Sequence, residues 1–326
     1  MIENLDIYNF KEDDQEDDSE IISDLKNSEQ KKINSKHFYD EKGSKLFDKI
    51  SELKEYYPTR TELEIIEKQK YSFKNNLPSN ASIIEFGSGS NKKIKKLLNA
   101  LDKPKAYISI DISYDFLIVN AKEIAKKFPK LIVKAICADL YQLDSITKII
   151  NENSQKIGFF PGSTIGNFSE NEAKKLLMGF KKILGKNSFL IIGVDLRKDK
   201  KIMEKAYNDS KGITAEFNKN ILNGINKKIG SKFNIKNFEH KAYFNEKKKR
   251  IEMHLISRQN QNVSLKDYDL KILKGESIHT ENSYKYSASE FEKLALSSGY
   301  KKINFLTDQK KYFGVFFLKV IDNWIL

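Results

Sequence analysis

The chain has 326 residues, 39% of them hydrophobic and 32% charged, with a formal net charge of +13 and one cysteine. That length can bury a sizeable core, as two modest domains or one decorated domain. No apolar run approaches the ~18–20 residues a membrane span needs, and a lone Cys137 excludes an internal disulfide. The acidic N-terminus lacks the basic-then-apolar order of a secretory signal, so a cytoplasmic protein without a membrane partner is expected. A basic balance can signal nucleic acid, but Arg60, Arg197, Arg250 and Arg258 are the only arginines and the other basic residues are lysines. Nucleic-acid readers rely on guanidinium forks and aromatic stacking. The scattered lysines therefore read as solvated surface, with no nucleic-acid partner, and Lys247–Arg250 is the one local cluster.

Residues 1–30 read as an acidic, poorly ordered and dispensable tail, since Glu12 to Glu20 is nearly continuous acid without apolar periodicity. From Ala81 strands and helices alternate. Ser82–Phe86 is a first strand ending in Gly-Ser-Gly, followed by a helix with Ile94, Leu97, Leu98 and Leu101 on one face. Ala106–Asp111 is a second strand, with a helix running to about Phe128, and Leu131–Cys137 is a third. Gly158–Phe160 carries a fourth, and the capping box Ser169/Glu172 opens its helix. Phe189–Val194 is a fifth. A second capping box, Ser287/Glu290, opens a last helix, and Lys301–Thr307 with Phe313–Val320 form a closing antiparallel hairpin. Strands alternating with helices imply an α/β fold with a mostly parallel sheet wrapped on both faces. This order resembles the class I Rossmann-like methyltransferases. The expected organisation is a cofactor domain over 60–196 and 286–326, with a second lobe from 31–59 and 197–285 inserted after strand five.

Four strand ends carry candidate chemistry. Glu85-Phe86-Gly87-Ser88-Gly89-Ser90 follows strand one, where glycines let the backbone approach a ligand and a helix N-terminus offers free N–H groups. Lys92 stands where a dinucleotide fingerprint would place its third glycine, which disfavours pyrophosphate. Asp111 ends strand two, where a carboxylate can accept ribose hydroxyls, and Asp139 follows strand three, where one can take an adenine amino group. Each could instead be a cap or turn residue, but ligands bind at the carboxyl ends of such strands. Gly166-Asn167 after strand four could be a simple turn, or its amide could grip a carboxylate or an amine. The four histidines, His37, His240, His254 and His279, are too dispersed for a metal-ligand set, and no metal is expected.

A set of longer motifs runs along the chain: Phe38-Tyr39-Asp40-x-x-Gly43-Ser44-x-Leu46-Phe47, Glu55-Tyr56-Tyr57-Pro58-Thr59-Arg60-Thr61-Glu62 and Glu85–Gly89. It continues through Gly162–Asn167, Gly193-Val194-Asp195-Leu196, Ala206-Tyr207-Asn208-Asp209 and Thr214-Ala215-x-Phe217-Asn218-x-Asn220. Phe238-Glu239-His240, Arg250-Ile251-Glu252-Met253-x-Leu255 and Thr280-Glu281-x-Ser283-x-Lys285 complete it. In these motifs, over roughly Lys36 to Leu318, the chain resembles the histidine Nα-methyltransferases of ergothioneine biosynthesis, which use S-adenosyl-L-methionine to form hercynine. The resemblance implies that Gly87, Lys93, Asp111, Asp139 and Leu140 contact the cofactor. Tyr39 joins them near the transferring methyl and, with Asn167, is implied to be catalytic. It implies that Asn167 and Tyr207 hold the α-carboxylate and amine end of the substrate, while Tyr56, Met253, Glu281 and Ser283 line the imidazole end. Glu281 and Ser283 are two apart, so in an extended segment they face the same way. A carboxylate and a hydroxyl can satisfy the two imidazole nitrogens. The implied partners are L-histidine and its mono- and dimethylated forms, and the implied state is a monomer. The alternatives are another amino acid as methyl acceptor or, from a different class, an RNA-binding protein or RNA methyltransferase.

Overall fold

The computed structural model describes residues 2–10, 18–27, 29–140, 146–150, 154–266 and 268–321. In chain order the strands are β1 (Leu5–Asn9), β2 (Lys31–Lys32), β3 (Ser82–Phe86), β4 (Ala106–Asp111), β5 (Ile132–Cys137), β6 (Lys156–Phe160) and β7 (Phe189–Asp195). After them come β8 (Phe238–Asn245), β9 (Arg250–Ser257), β10 (Gln261–Leu265), β11 (Tyr268–Ile272), β12 (Ser277–Tyr284), β13 (Tyr300–Thr307) and β14 (Phe313–Val320). The helices are α1 (Asp18–Lys26), α2 (Glu41–Ser51), α3 (Tyr57–Lys68), α4 (Lys70–Asn76), α5 (Lys92–Ala100) and α6 (Tyr114–Lys127). They continue as α7 (Thr147–Ile150), α8 (Glu170–Leu184), α9 (Lys200–Tyr207), α10 (Ile213–Ile229) and α11 (Ala288–Ser297). The chain divides into two compact units, one of Met1–Asp14, Pro58–Arg197 and Lys285–Leu326, the other of Gln15–Tyr57 and Lys198–Tyr284.

The first unit is built on an eight-stranded sheet in the order β1-β5-β4-β3-β6-β7-β14-β13. β3 to β7 and β1 run parallel, and β14 enters antiparallel between β7 and β13. Strands such as Ser-Ile-Ile-Glu-Phe are buried along their whole length because helices cover both faces. Ile84, Phe86, Ile108 and Ile192 pack with Leu176, Leu177 and Phe180 of α8 and Phe291 of α11. Their neighbours Ile83, Tyr107, Val133 and Ile191 point the other way, onto Ile94, Leu97 and Ile124 of α5 and α6. Both expected capping boxes are present: Ser169 and Ser287 each accept from the backbone N–H three residues on, and Glu172 and Glu290 reach back.

The N-terminal segment departs from the expected tail. Leu5–Asn9 pairs in parallel with Val133–Cys137 and extends the sheet at its edge. The Asn4 amide anchors it by donating to the carbonyls of Ala125, Phe128 and Leu131. In the second unit, α1 buries Ile21 and Leu25, one helical turn apart, despite its acidic first turn. A five-residue edge strand and a helix with two apolar anchors are too brief to register as periodicity beside a run of acid. Residues 11–17, which hold much of that run, lie outside the described residues.

The second unit carries a four-stranded sheet, β2-β12-β9-β8, and the two-stranded β10-β11. β8, β9 and β12 form an antiparallel ladder in which Ala242, Met253 and Glu281 are cross-strand neighbours, as are Phe244, Ile251 and Ser283. The register slips by one residue between His279 and Glu281, a β-bulge at Thr280.

Candidate active site

In the first unit the glycine-rich turn leaves β3 at Gly87, whose φ of +72° a side-chain-bearing residue rarely adopts. Gly87 and Ser88 donate their N–H groups to the Ile110 carbonyl, which ties the turn to the end of β4. Asp111 lies at that end, its carboxylate accepting from the backbone N–H of Gly89 at 3.3 Å and of Ser113 at 2.9 Å. Burial raises the Asp111 carboxyl above its usual range, and those N–H donors oppose the rise. Beneath the turn, Tyr107 donates to the buried Glu85 at 2.5 Å. Burial pushes Glu85 up to about 8, against the opposing pull of the Tyr107 hydrogen bond and the Lys93 charge. Among the described residues, a Cβ at Gly89 would meet nothing within 4 Å, and the buried Ser88 Oγ has no hydrogen-bond partner. An open backbone cradle with an unmatched hydroxyl, next to a strand-end carboxylate, suits a nucleoside with a polar tail. Asp139 and Leu140 follow β5, both partly exposed.

Lys93, on the first turn of α5, pairs with Glu62 of α3 at 2.7 Å, and the same carboxylate accepts from the Gly162 N–H at 2.8 Å. Glu62 is 1% exposed, and its second oxygen sits where a Cβ on Gly193 would come within 2.0 Å. Gly193 is therefore a space for a carboxylate, a reason the motif itself does not disclose. Asn167 closes the 3-10 turn Thr164–Asn167, which Ser163 enters at φ +60°. The Ser163 hydroxyl accepts from the Asp195 N–H at 2.8 Å, and the Asp195 carboxylate binds Lys285 at 2.6 Å, both groups essentially inaccessible.

In the second unit the remaining candidates gather on one face of the sheet. Cross-strand neighbours share a face, so Met253 and Ile251 of β9 lie beside Glu281 and Ser283 of β12. Tyr207, at the end of α9, donates its hydroxyl to Ser283 Oγ at 2.7 Å. Tyr56 meets the Tyr207 ring edge-on at 6.1 Å, Phe47 meets Tyr56, and Tyr39 meets both Phe47 and Phe217. The next residue, Asp40, accepts from the Gly43 N–H and the Asn220 amide. Six sequence candidates, Tyr39, Tyr56, Tyr207, Met253, Glu281 and Ser283, thus belong to one unit. Gly87, Lys93, Asp111, Asp139, Leu140 and Asn167 belong to the other.

Sequence reasoning passed over two groupings. His254 and His279, judged dispersed, stack at 4.8 Å on the opposite sheet face, with Tyr243 stacked on His254. Burial pushes His279 down to about 4, with a further push from His254. Glu252 on that face accepts from Arg250 and Tyr243 and is held down to about 2 against the desolvation that would raise it. The second grouping is Asn218, His240 and Thr280, joined by hydrogen bonds. Their recurrence in the quoted motifs was the available signal.

A family model described as histidine-specific methyltransferase, SAM-dependent, matches residues 17–320. The histidine N-alpha-methyltransferase of Mycobacterium tuberculosis (strain CDC 1551 / Oshkosh) is 31% identical over 290 residues, covering 87% of this chain and 89% of that protein. Ergothioneine biosynthesis protein 1 of Neurospora crassa is 31% identical over 296 residues, 84% of this chain and 32% of that protein. The 4-dimethylallyltryptophan N-methyltransferase of Claviceps purpurea is 28% identical over 293 residues, 80% of this chain and 83% of that protein.

Proposed function

The chain belongs to the SAM-dependent, histidine-specific methyltransferase family, and from that membership we propose that it methylates the α-amine of L-histidine three times, to hercynine. When bound, S-adenosylmethionine supplies an activated methyl group that a neutral amine takes by in-line displacement. Gly87, Lys93, Asp111, Asp139 and Leu140 would hold it, and Tyr39 is assigned to the same cofactor. The protein's own task is to position the amine, admit it unprotonated and keep water away.

The observation that carries the substrate reading is the shared sheet face of Met253, Glu281 and Ser283, with Tyr207 bonded to Ser283. A neutral imidazole offers one N–H and one bare nitrogen; Glu281 accepts the first and the Ser283 hydroxyl donates to the second. Tyr56 and Met253 border the ring, and we assign Asn167 and Tyr207 to the α-carboxylate and amine end. A second reading, the amine of an indole amino acid, has the Claviceps relative in its favour. An indole has a donor but no acceptor, so it would offer nothing for the Ser283 hydroxyl to donate to.

We assign the chain no nucleic-acid partner, a monomeric state and the cytoplasm. Arg250, the arginine of the basic cluster, bonds inward to Glu252 and Tyr284. Among the described residues no helix is long and apolar enough to cross a membrane. The test is mass spectrometry of the protein incubated with S-adenosylmethionine and a pool of all proteinogenic amino acids. Trimethylated histidine is expected; a methylated product from another amino acid and none from histidine ends the assignment.

A further inference from the structure

Glu281 and Ser283 owe their face to the bulge at Thr280. Up to His279 the ladder is regular, and Ile278 lies beside Leu255 and His240 on the face that also bears Met253. A strand alternates faces every residue, so an unbroken β12 would send Glu281 and Ser283 to the opposite face with His279. The extra residue resets the phase. After it, Glu281 is opposite Met253 and Ser283 opposite Ile251, on the Ile278 face.

The bulge is held by one buried side chain. The Thr280 hydroxyl, 2% exposed, lies 2.6 Å from Asn218 Oδ1 and 3.1 Å from the Met253 carbonyl on the facing strand, and its one hydrogen goes to the nearer Asn218. Asn218, fully inaccessible on α10, spends its amide hydrogens on the His254 carbonyl at 3.1 Å and on His240 Nδ1 at 2.9 Å. That bond makes Nδ1 the acceptor of the ring, so Nε2 carries the hydrogen and donates to the Tyr207 carbonyl at 2.8 Å. One chain of hydrogen bonds thus connects the bulge before Glu281 to the residue whose hydroxyl holds Ser283.

We infer that Asn218, with Thr280 and His240, is the positioning residue for substrate selection: it locks the bulge phase that presents Glu281 and Ser283 and fixes Tyr207 against them. None of the three is assigned a contact with substrate; they act through the residues they hold. This inference rests on the proposal that Glu281, Ser283 and Tyr207 receive histidine.

The test compares Thr280→Val, which keeps the shape and removes the donor, with Thr280→Ser, which keeps the donor. L-histidine is titrated calorimetrically into each protein saturated with S-adenosylhomocysteine, and S-adenosylhomocysteine is titrated separately. Thr280→Val should weaken histidine at least tenfold and leave S-adenosylhomocysteine within twofold of wild type, and Thr280→Ser should stay within about threefold for both. A role in folding alone would lower the melting temperature of Thr280→Val and leave its histidine affinity at the wild-type value, and that result overturns the inference. Should Thr280→Val fail to hold S-adenosylhomocysteine, His240→Phe cuts the same chain at Tyr207. Tenfold weaker histidine in His240→Phe supports the inference and unchanged histidine affinity overturns it. Glu281→Ala separates the two levels. If it weakens histidine while Thr280→Val does not, the positioning role fails; if neither does, the site reading itself fails.

Discussion

Asp195→Asn should be among the most damaging single substitutions in the first unit, and replacing both members of its ion pair with apolar residues should avoid most of that damage. Asp195 and Lys285 are 2.6 Å apart with side-chain exposures of 1% and 0%. Neutralising the carboxylate leaves the lysine charge in a desolvated place, and breaking a buried pair this way costs about 3–5 kcal/mol. At about 2–4 °C per kcal/mol for a folding unit of roughly 150–250 residues, the melting temperature should fall by about 6–20 °C. Replacing both partners with apolar residues, Asp195→Leu with Lys285→Met, removes the stranded charge and should recover most of the loss. The Asp195 backbone also donates to Ser163 at the start of the turn bearing Asn167, so the single variant should raise KM for histidine as well. Thermal melts of the wild type, Asp195→Leu, Lys285→Met and the double variant give the coupling energy directly. A drop below about 1 kcal/mol in Asp195→Asn, or a double variant as unstable as the two losses added, would refute the reasoning.

In Glu281→Ala an imidazole N–H loses its acceptor, which costs about 1–3 kcal/mol, or roughly 5- to 150-fold in histidine affinity. S-adenosylmethionine binding should stay intact and discrimination against phenylalanine should shrink; calorimetry with all three ligands checks it, and wild-type histidine affinity would remove Glu281 from the pocket. Deleting residues 1–10 strips β1 from β5 and removes the Asn4 anchor. The melting temperature should drop and the exposed strand edge should promote association; an unchanged melt in a monodisperse protein would restore the dispensable tail. Glu85 has a native pKa of about 8 against an ordinary 4.5, so between those values the native state holds a proton that the unfolded state releases. Its contribution makes stability fall as pH rises from about 4.5 to about 8 and level off above. Melts from pH 5 to 9 should show that slope flattened in Glu85→Gln, and an identical slope in both proteins would count against a protonated Glu85.

Much of the first unit was legible because its signals are local. Apolar runs of four to six residues, two capping boxes, a Gly-Ser-Gly turn and acids at consecutive strand ends each depend on near neighbours along the chain, and they place Gly87, Asp111 and Asp139 at strand ends. The family motifs named the residues proposed for the substrate, and the two-residue spacing of Glu281 and Ser283 put them on one side of an extended segment. Which side was beyond sequence periodicity, because a bulge moves a strand by one residue and inverts its faces without altering composition or spacing. The edge strand at Leu5–Asn9, the Glu62 carboxylate over Gly193, the Lys285–Asp195 pair and the stacked His254 and His279 were hidden for a related reason. Each is made by segments far apart in the chain, and a buried charge reads in sequence like any solvated one until its partner is brought to it. The sequence alone determined the order of the elements from β3 to β7 and from α11 to β14, and the chemistry available to them. Tertiary structure decided which charges are desolvated and which face of β12 bears Glu281, because both depend on long-range hydrogen bonds and packing that no local pattern encodes.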